Sequence, residues 1–160
     1  MDKTLVVIDV QNYYINEGTA DLPHKIAQHI EQTEYDHVLF TKFVNDDNSS
    51  LSKYLDWHKM QSSPDIDIHE SLSSLAKPEN TFEKNTYSIF KSNKFVDFLE
   101  SYGIRELILC GLDTDACILA SQYDGFDRGY KITVLDDLCA CHSGVLYHDY
   151  ALNIINKNLQ

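Results

Sequence analysis

Apolar residues in this chain fall into short unbroken runs separated by stretches with a helical period. The runs at 5–10, 37–43 and 107–110, with 131–135 as a fourth, read as strands buried on both faces. Such runs are typical of parallel sheets. Between them lie patterns that predict helices over 23–32, 92–102, 116–128 and 147–157. In the second of these, Phe95, Phe98, Leu99 and Tyr102 share one face, and Gly103 supplies the stop. Strands alternating with helices require right-handed crossovers, so the expected fold is α/β, a three-layer α/β/α sandwich with a mostly parallel sheet. Residues 45–80 interrupt the rhythm: they are polar, carry Pro64, Pro78 and the only tryptophan, Trp57, and predict one short helix over 51–59. Insertions of this kind lie over the carboxyl ends of the strands, so a substrate-side cap is expected there.

At 160 residues the chain is expected to form one domain, 1–160. Lys and Arg total 13 against 25 Asp and Glu, and the formal charge of −12 repels phosphate backbones and anionic lipid surfaces. Nucleic acid and membrane partners are therefore not expected. With a strand predicted almost at the first residue, no signal peptide is expected, and no apolar run approaches the roughly 18–20 residues that span a bilayer. A soluble, cytoplasmic protein is expected, with its four cysteines, Cys110, Cys117, Cys139 and Cys141, as free thiols.

Three residues carry candidate chemistry. Cys117 follows a strand, Gly111 and a polar turn, where a helix should open; a helix amino terminus lowers a thiol's pKa from about 8.5 toward neutrality. Asp9 ends the first strand, where an acid points into the crevice of an α/β sheet, although a turn or helix-capping acid would look the same. Lys84 precedes a helix start and, taken alone, is an ordinary surface charge. An acid, an ammonium and a thiol brought together would make a nucleophilic site, since the acid can take the thiol proton and the ammonium favours both anions.

Four segments in order, V-V-I-D-V-Q-N (6–12), K-N-T-Y-S-I-F (84–90), G-L-D-T-D-A-C-I (111–118) and F-D-R-G-Y-K-I-T-V-L-D-D (126–137), resemble the isochorismatase-like cysteine hydrolases, a family that includes nicotinamidases and N-carbamoyl amidases. The resemblance covers most of the chain. It implies a catalytic triad of Asp9, Lys84 and Cys117, and an oxyanion hole made by the N–H groups of Asp113 and Cys117 with a cis peptide between Leu112 and Asp113. It also implies hydrolysis of a C–N bond in a small-molecule substrate through a covalent Cys intermediate, no cofactor, and a homo-oligomer, dimer or tetramer. Isochorismatase-type vinyl ether hydrolysis and a non-catalytic binding protein remain as alternatives on the same fold.

The sequence departs from the nicotinamidases of this family at their metal site. An Asp-x-His pair is missing after the second strand, where F-V-N-D-D-N-S-S stands, and His58 and His69 are not spaced as ligands to Asp46 or Asp47. No metal is expected. Tyr13, Tyr14, Asn45, Trp57 and Tyr87 are the candidate substrate-binding residues, with Phe43 nearby, and several aromatics suit a compact or planar amide. Cys110 should be an inert strand residue, and Cys139 and Cys141 two small residues packed in a turn rather than a redox pair; His142 either lines the pocket rim or caps a turn, the second reading being favoured.

Overall fold

The computed structural model describes residues 2–160. Five strands form one parallel sheet: β1 (Thr4–Ile8), β2 (His37–Phe43), β3 (Thr81–Lys84), β4 (Glu106–Leu112) and β5 (Lys131–Ala140), in the order β3-β2-β1-β4-β5. The helices are α1 (Leu22–Gln32), α2 (Ser50–Leu55), α3 (Glu70–Ser73), α4 (Asn93–Tyr102), α5 (Leu119–Asp127) and α6 (Val145–Asn158). None of them is long and apolar enough to cross a membrane.

The central strand explains the sheet. Every residue of β1 is buried, and both of its edges are paired, Val7 lying level with Phe40 on β2 and with Cys110 on β4. A strand so placed must be apolar at each position, which is why the pattern at 5–8 does not alternate. The chain steps outward from β1 to β2 and β3, then returns to the other side of β1 for β4 and β5. Right-handed crossovers in opposite directions place their helices on opposite faces. The reversal leaves a crevice beyond the carboxyl ends of β1 and β4, where open α/β sheets bind ligands.

One strand escaped the pattern: β3 has four residues, T-F-E-K, of which Phe82 and Lys84 are buried and Glu83 is exposed. A short edge strand presents too little apolar surface to be read locally. The segment between β2 and β3 carries α2, over 50–55 rather than 51–59, and also α3. It returns to the sheet through Gln11, whose amide donates to the carbonyls of Phe43 and Ile66 and whose carbonyl accepts from the Phe43 N–H.

Glycine is required at the end of β4. Gly111 has φ +118°, and a Cβ there would stand 2.1 Å from the Ile8 carbonyl oxygen. The pairing of β4 with β5 shifts register at the same place, so that Gly111 lies opposite Cys139 after Leu109 has paired with Val134. The irregularity brings residues 139–142 beside the loop that leaves β4.

Candidate active site

Asp9, Lys84 and Cys117 arrive from three strand ends. Asp9 directly follows β1 in a left-handed conformation, φ 50°, which a short polar side chain tolerates. Thr41 on β2 holds it, its hydroxyl donating to Asp9 Oδ1 at 2.7 Å. Lys84, the last residue of β3, extends past the Phe43 ring with its Nζ 5.1 Å from the ring centroid. Its ammonium donates to Asp9 Oδ2 at 2.7 Å, to the Thr86 carbonyl at 2.8 Å and toward Cys117 Sγ at 3.4 Å. Three protons thus meet three acceptors. The ion pair is out of water, with side-chain exposures of 1% for Lys84 and 0% for Asp9.

Burial pulls the Lys84 ammonium toward neutrality, but the Asp9 carboxylate and the Cys117 sulfur outweigh it and hold its pKa above the ordinary lysine value. Cys117 departs from expectation. Burial pushes its thiol up, Lys84 pulls it back in part, and the Asp9 carboxylate pushes it up again. A helix start was expected to lower it. Instead residues Thr114–Ile118 form a single wide π turn ahead of α5, and desolvation of the sulfur, with the Asp9 carboxylate adding to it, outweighs the pull of Lys84. The resting group is the thiol.

The loop between β4 and Cys117 is tied on every side. The Leu112–Asp113 peptide is cis. The Asp113 carbonyl accepts from the N–H groups of Ala116 and Ile118, and its carboxylate accepts from the His142 N–H at 2.9 Å and from the His142 ring. Thr114 Oγ1 lies 2.7 Å from His148 Nδ1, which links the turn to α6. Cys141 Sγ donates to Asp115 Oδ1 at 3.0 Å.

Cys117 lines a cleft of about 300 Å³. Tyr13, Tyr14, Phe43, Trp57 and Tyr87 form its aromatic walls. Tyr13 meets Tyr14 and Trp57 edge-on, with centroids 5.3 and 5.9 Å apart. Burial, with Cys117 and Asp9 nearby, pushes the Tyr14 hydroxyl up, so it stays protonated.

Two assignments change. Asn45 does not line this cleft: it is buried, its amide donates to Ser52 Oγ and to the carbonyls of Trp57 and Lys59, and its carbonyl accepts from Ser49. Asn45 pins α2 and the following loop, and no polar atom is left over for substrate. His142, for which a turn cap was favoured over a place on the pocket rim, lines the cleft, its ring centroid 5.2 Å from that of Tyr14. Asp115, Ser143, Leu51 and Leu55 also line it and were not anticipated; Asp115 had a local signal, lying in the same motif as Cys117. Thr41 had none, since its partner Asp9 is 32 residues away.

The metal positions of the nicotinamidases have no counterpart that fits. Asp46 accepts from Asn85 Nδ2 and the Asn48 N–H, Asp47 accepts from Gln61, and the His69 ring accepts from the Ser71 N–H. Among the described residues, one group of three potential ligands lies within 4.8 Å, Asp113, Asp115 and Cys141: His142 takes up both Asp113 oxygens and Cys141 donates to Asp115 Oδ1, which leaves Asp115 Oδ2 without a donor. All four cysteines are free thiols, and burial pushes Cys139 and Cys141 up to about 12.

Known proteins share both the sequence and the fold. The Isochorismatase domain family matches residues 3–159. A nicotinamidase/pyrazinamidase of Mycobacterium tuberculosis is 28% identical over 86% of this chain and 86% of its own. The solved nicotinamidase/pyrazinamidase of Bacillus subtilis superposes with a TM-score of 0.83 at 25% identity, covering 99% of this chain and 97% of that one. The N-carbamoylsarcosine amidase of Thermoplasma acidophilum shares the fold, with a TM-score of 0.75 at 21% identity over 98% of this chain and 94% of that one. With the ordered motifs and the five-stranded parallel sheet, a match over almost the whole length establishes that the chain belongs to the isochorismatase family of hydrolases.

Proposed function

We propose that this hydrolase is a cysteine amidase that cleaves a C–N bond of a small amide or related carbamoyl compound, with Asp9, Lys84 and Cys117 as its catalytic groups. One observation carries the proposal: a buried ammonium donates at once to a carboxylate and toward a thiol that opens on a small aromatic cleft.

The charge state of the thiol decides the order of steps. Cys117 rests protonated, so attack needs a base, and Asp9 is the carboxylate beside it. Moving the proton from Sγ to Asp9 leaves the total charge of the three groups unchanged, which a buried site tolerates far better than net ionisation. Lys84 then faces the thiolate it already contacts. Sγ bonds to the substrate carbonyl carbon, and the carbonyl π electrons move to oxygen, where the N–H groups of Asp113 and Cys117 receive them. The oxyanion collapses, the C–N bond breaks, and Asp9 returns its proton to the leaving nitrogen. A water deprotonated by Asp9 adds to the thioester, and the acid departs as the thiol is restored.

The same proposal includes a homo-oligomer. Leu146, Tyr150 and Ile154 recur every four residues along α6 and are 54%, 56% and 39% exposed, a face suited to a second copy.

The test is ammonia or amine release from a panel of small amides and ureido compounds, with pyruvate release from isochorismate measured alongside to check vinyl ether hydrolysis. Wild type is expected to turn over at least one amide, and Cys117→Ala to lose at least about a thousandfold in kcat. Retention of full activity by Cys117→Ala would overturn the proposal.

A further inference from the structure

The charges that reach the cleft are unequal. Its lining includes two carboxylates, Asp113 and Asp115, one imidazole, His142, and neither Lys nor Arg. Lys84 does not offset them, because its ammonium is 1% exposed and already bonded to Asp9. Asp113 spends both carboxylate oxygens on His142, one on its N–H and one on its ring. Asp115 is different. Cys141 donates to its Oδ1, and among the described residues no group donates to its Oδ2. With His142 protonated, the lining sums to minus two plus one, or −1; with His142 neutral it is −2. The sum is negative in either state, on a chain whose formal charge is −12.

We infer that the cleft selects uncharged or cationic small amides and turns away carboxylate-bearing substrates, with Asp115 as the selecting residue. The inference rests on Cys117 being the nucleophile of the proposed amidase. An anion entering a partly desolvated cleft loses hydration and meets Asp115 with no cation to receive it. An ammonium, amidinium or amide N–H finds the free Asp115 oxygen instead. N-Carbamoyl amino acids and isochorismate, which carry carboxylates, would be poor substrates. Flat neutral amides fit the aromatic walls of Tyr13, Tyr14 and Trp57. Burial, Cys117 and Asp115 together push the Tyr87 hydroxyl up, consistent with Asp115 facing the same space.

Alkylation of Cys117 tests this without knowledge of the natural substrate. Iodoacetamide is neutral and iodoacetate is its anionic counterpart. Each rate at Cys117, read by peptide mass spectrometry at low ionic strength, is divided by the rate of the same reagent with free N-acetylcysteine amide, a neutral small thiol. After that normalisation iodoacetate should be disfavoured at Cys117 by about tenfold, a ratio worth about 1.4 kcal/mol. Asp115→Asn should remove most of that discrimination, and about 1 M salt, with its Debye length of about 3 Å, should reduce it in the unaltered protein. Equal normalised rates in the unaltered protein, or discrimination unchanged in a folded Asp115→Asn, would overturn the inference and leave the amidase proposal standing. A Cys117 that neither reagent modifies would overturn both.

Discussion

Removing one member of the Asp9–Lys84 pair should be far more damaging than removing both. At 2.7 Å and an effective dielectric of about 20, the two charges attract by about 6 kcal/mol. That attraction mainly offsets the desolvation of two groups that are both buried, so the pair adds little net stability. Asp9→Asn leaves the Lys84 ammonium with only the Thr86 carbonyl and the Cys117 sulfur as firm acceptors, and Lys84→Met leaves the Asp9 carboxylate with the Thr41 hydroxyl. An uncompensated buried charge typically costs about 3–5 kcal/mol. In a chain of this size that lowers Tm by roughly 6–20 °C. The double variant Asp9→Asn/Lys84→Met buries no charge and should be less destabilised than either single variant, which requires a coupling energy larger than the greater of the two single losses, at least about 3–5 kcal/mol. Urea unfolding followed by Trp57 fluorescence measures all four proteins. All three variants should also alkylate slowly at Cys117, because each lacks the base or the cation. If the two single losses simply add in the double variant, the two groups do not act as a buried pair, and the proton transfer built on them fails with it.

Gly111→Ala forces a Cβ to within 2.1 Å of the Ile8 carbonyl oxygen at φ +118°, so β1 and β4 must separate where Asp9 and the Cys117 loop leave the sheet. Backbone strain alone should cost about 1–3 kcal/mol, with the collision in addition, and urea unfolding should show it together with slower Cys117 alkylation; unchanged stability would contradict the close approach. His142 gives a pH signature. Its hydrogen bond to Asp113 raises its pKa above the ordinary 6.5, against the opposing effect of burial, with the Asp113 and Asp115 charges adding to the rise. A raised folded value means a contribution that is complete below pH 6.5 and is lost as pH climbs through the folded value. The wild-type Tm should therefore fall from pH 6 to 8 more steeply than that of His142→Gln, and parallel curves would show that the contact carries no such linkage.

The pattern of residues alone determined the parallel α/β layout. Strands 5–10, 37–43, 107–110 and 131–135 and the helix ended by Gly103 rest on periods and stops that neighbouring residues set among themselves. Asp9, Lys84 and Cys117 were visible together through the ordered motifs that carry the family resemblance; Lys84 by itself reads as a surface charge. Tertiary structure decided everything that depends on which surfaces leave water and what then lies beside them. It placed Lys84 on an edge strand too short and polar to be read locally, and brought its ammonium to an acid 75 residues away in sequence. It buried Cys117 deeply enough to keep the thiol protonated, reversing what a helix start implied. It spent Asn45 on holding the loop after α2 and set His142 and Asp115 in the cleft instead. Charge state and pairing are properties of a side chain's three-dimensional surroundings, because desolvation and Coulomb terms depend on distance through space; helix and strand periods depend only on order along the chain.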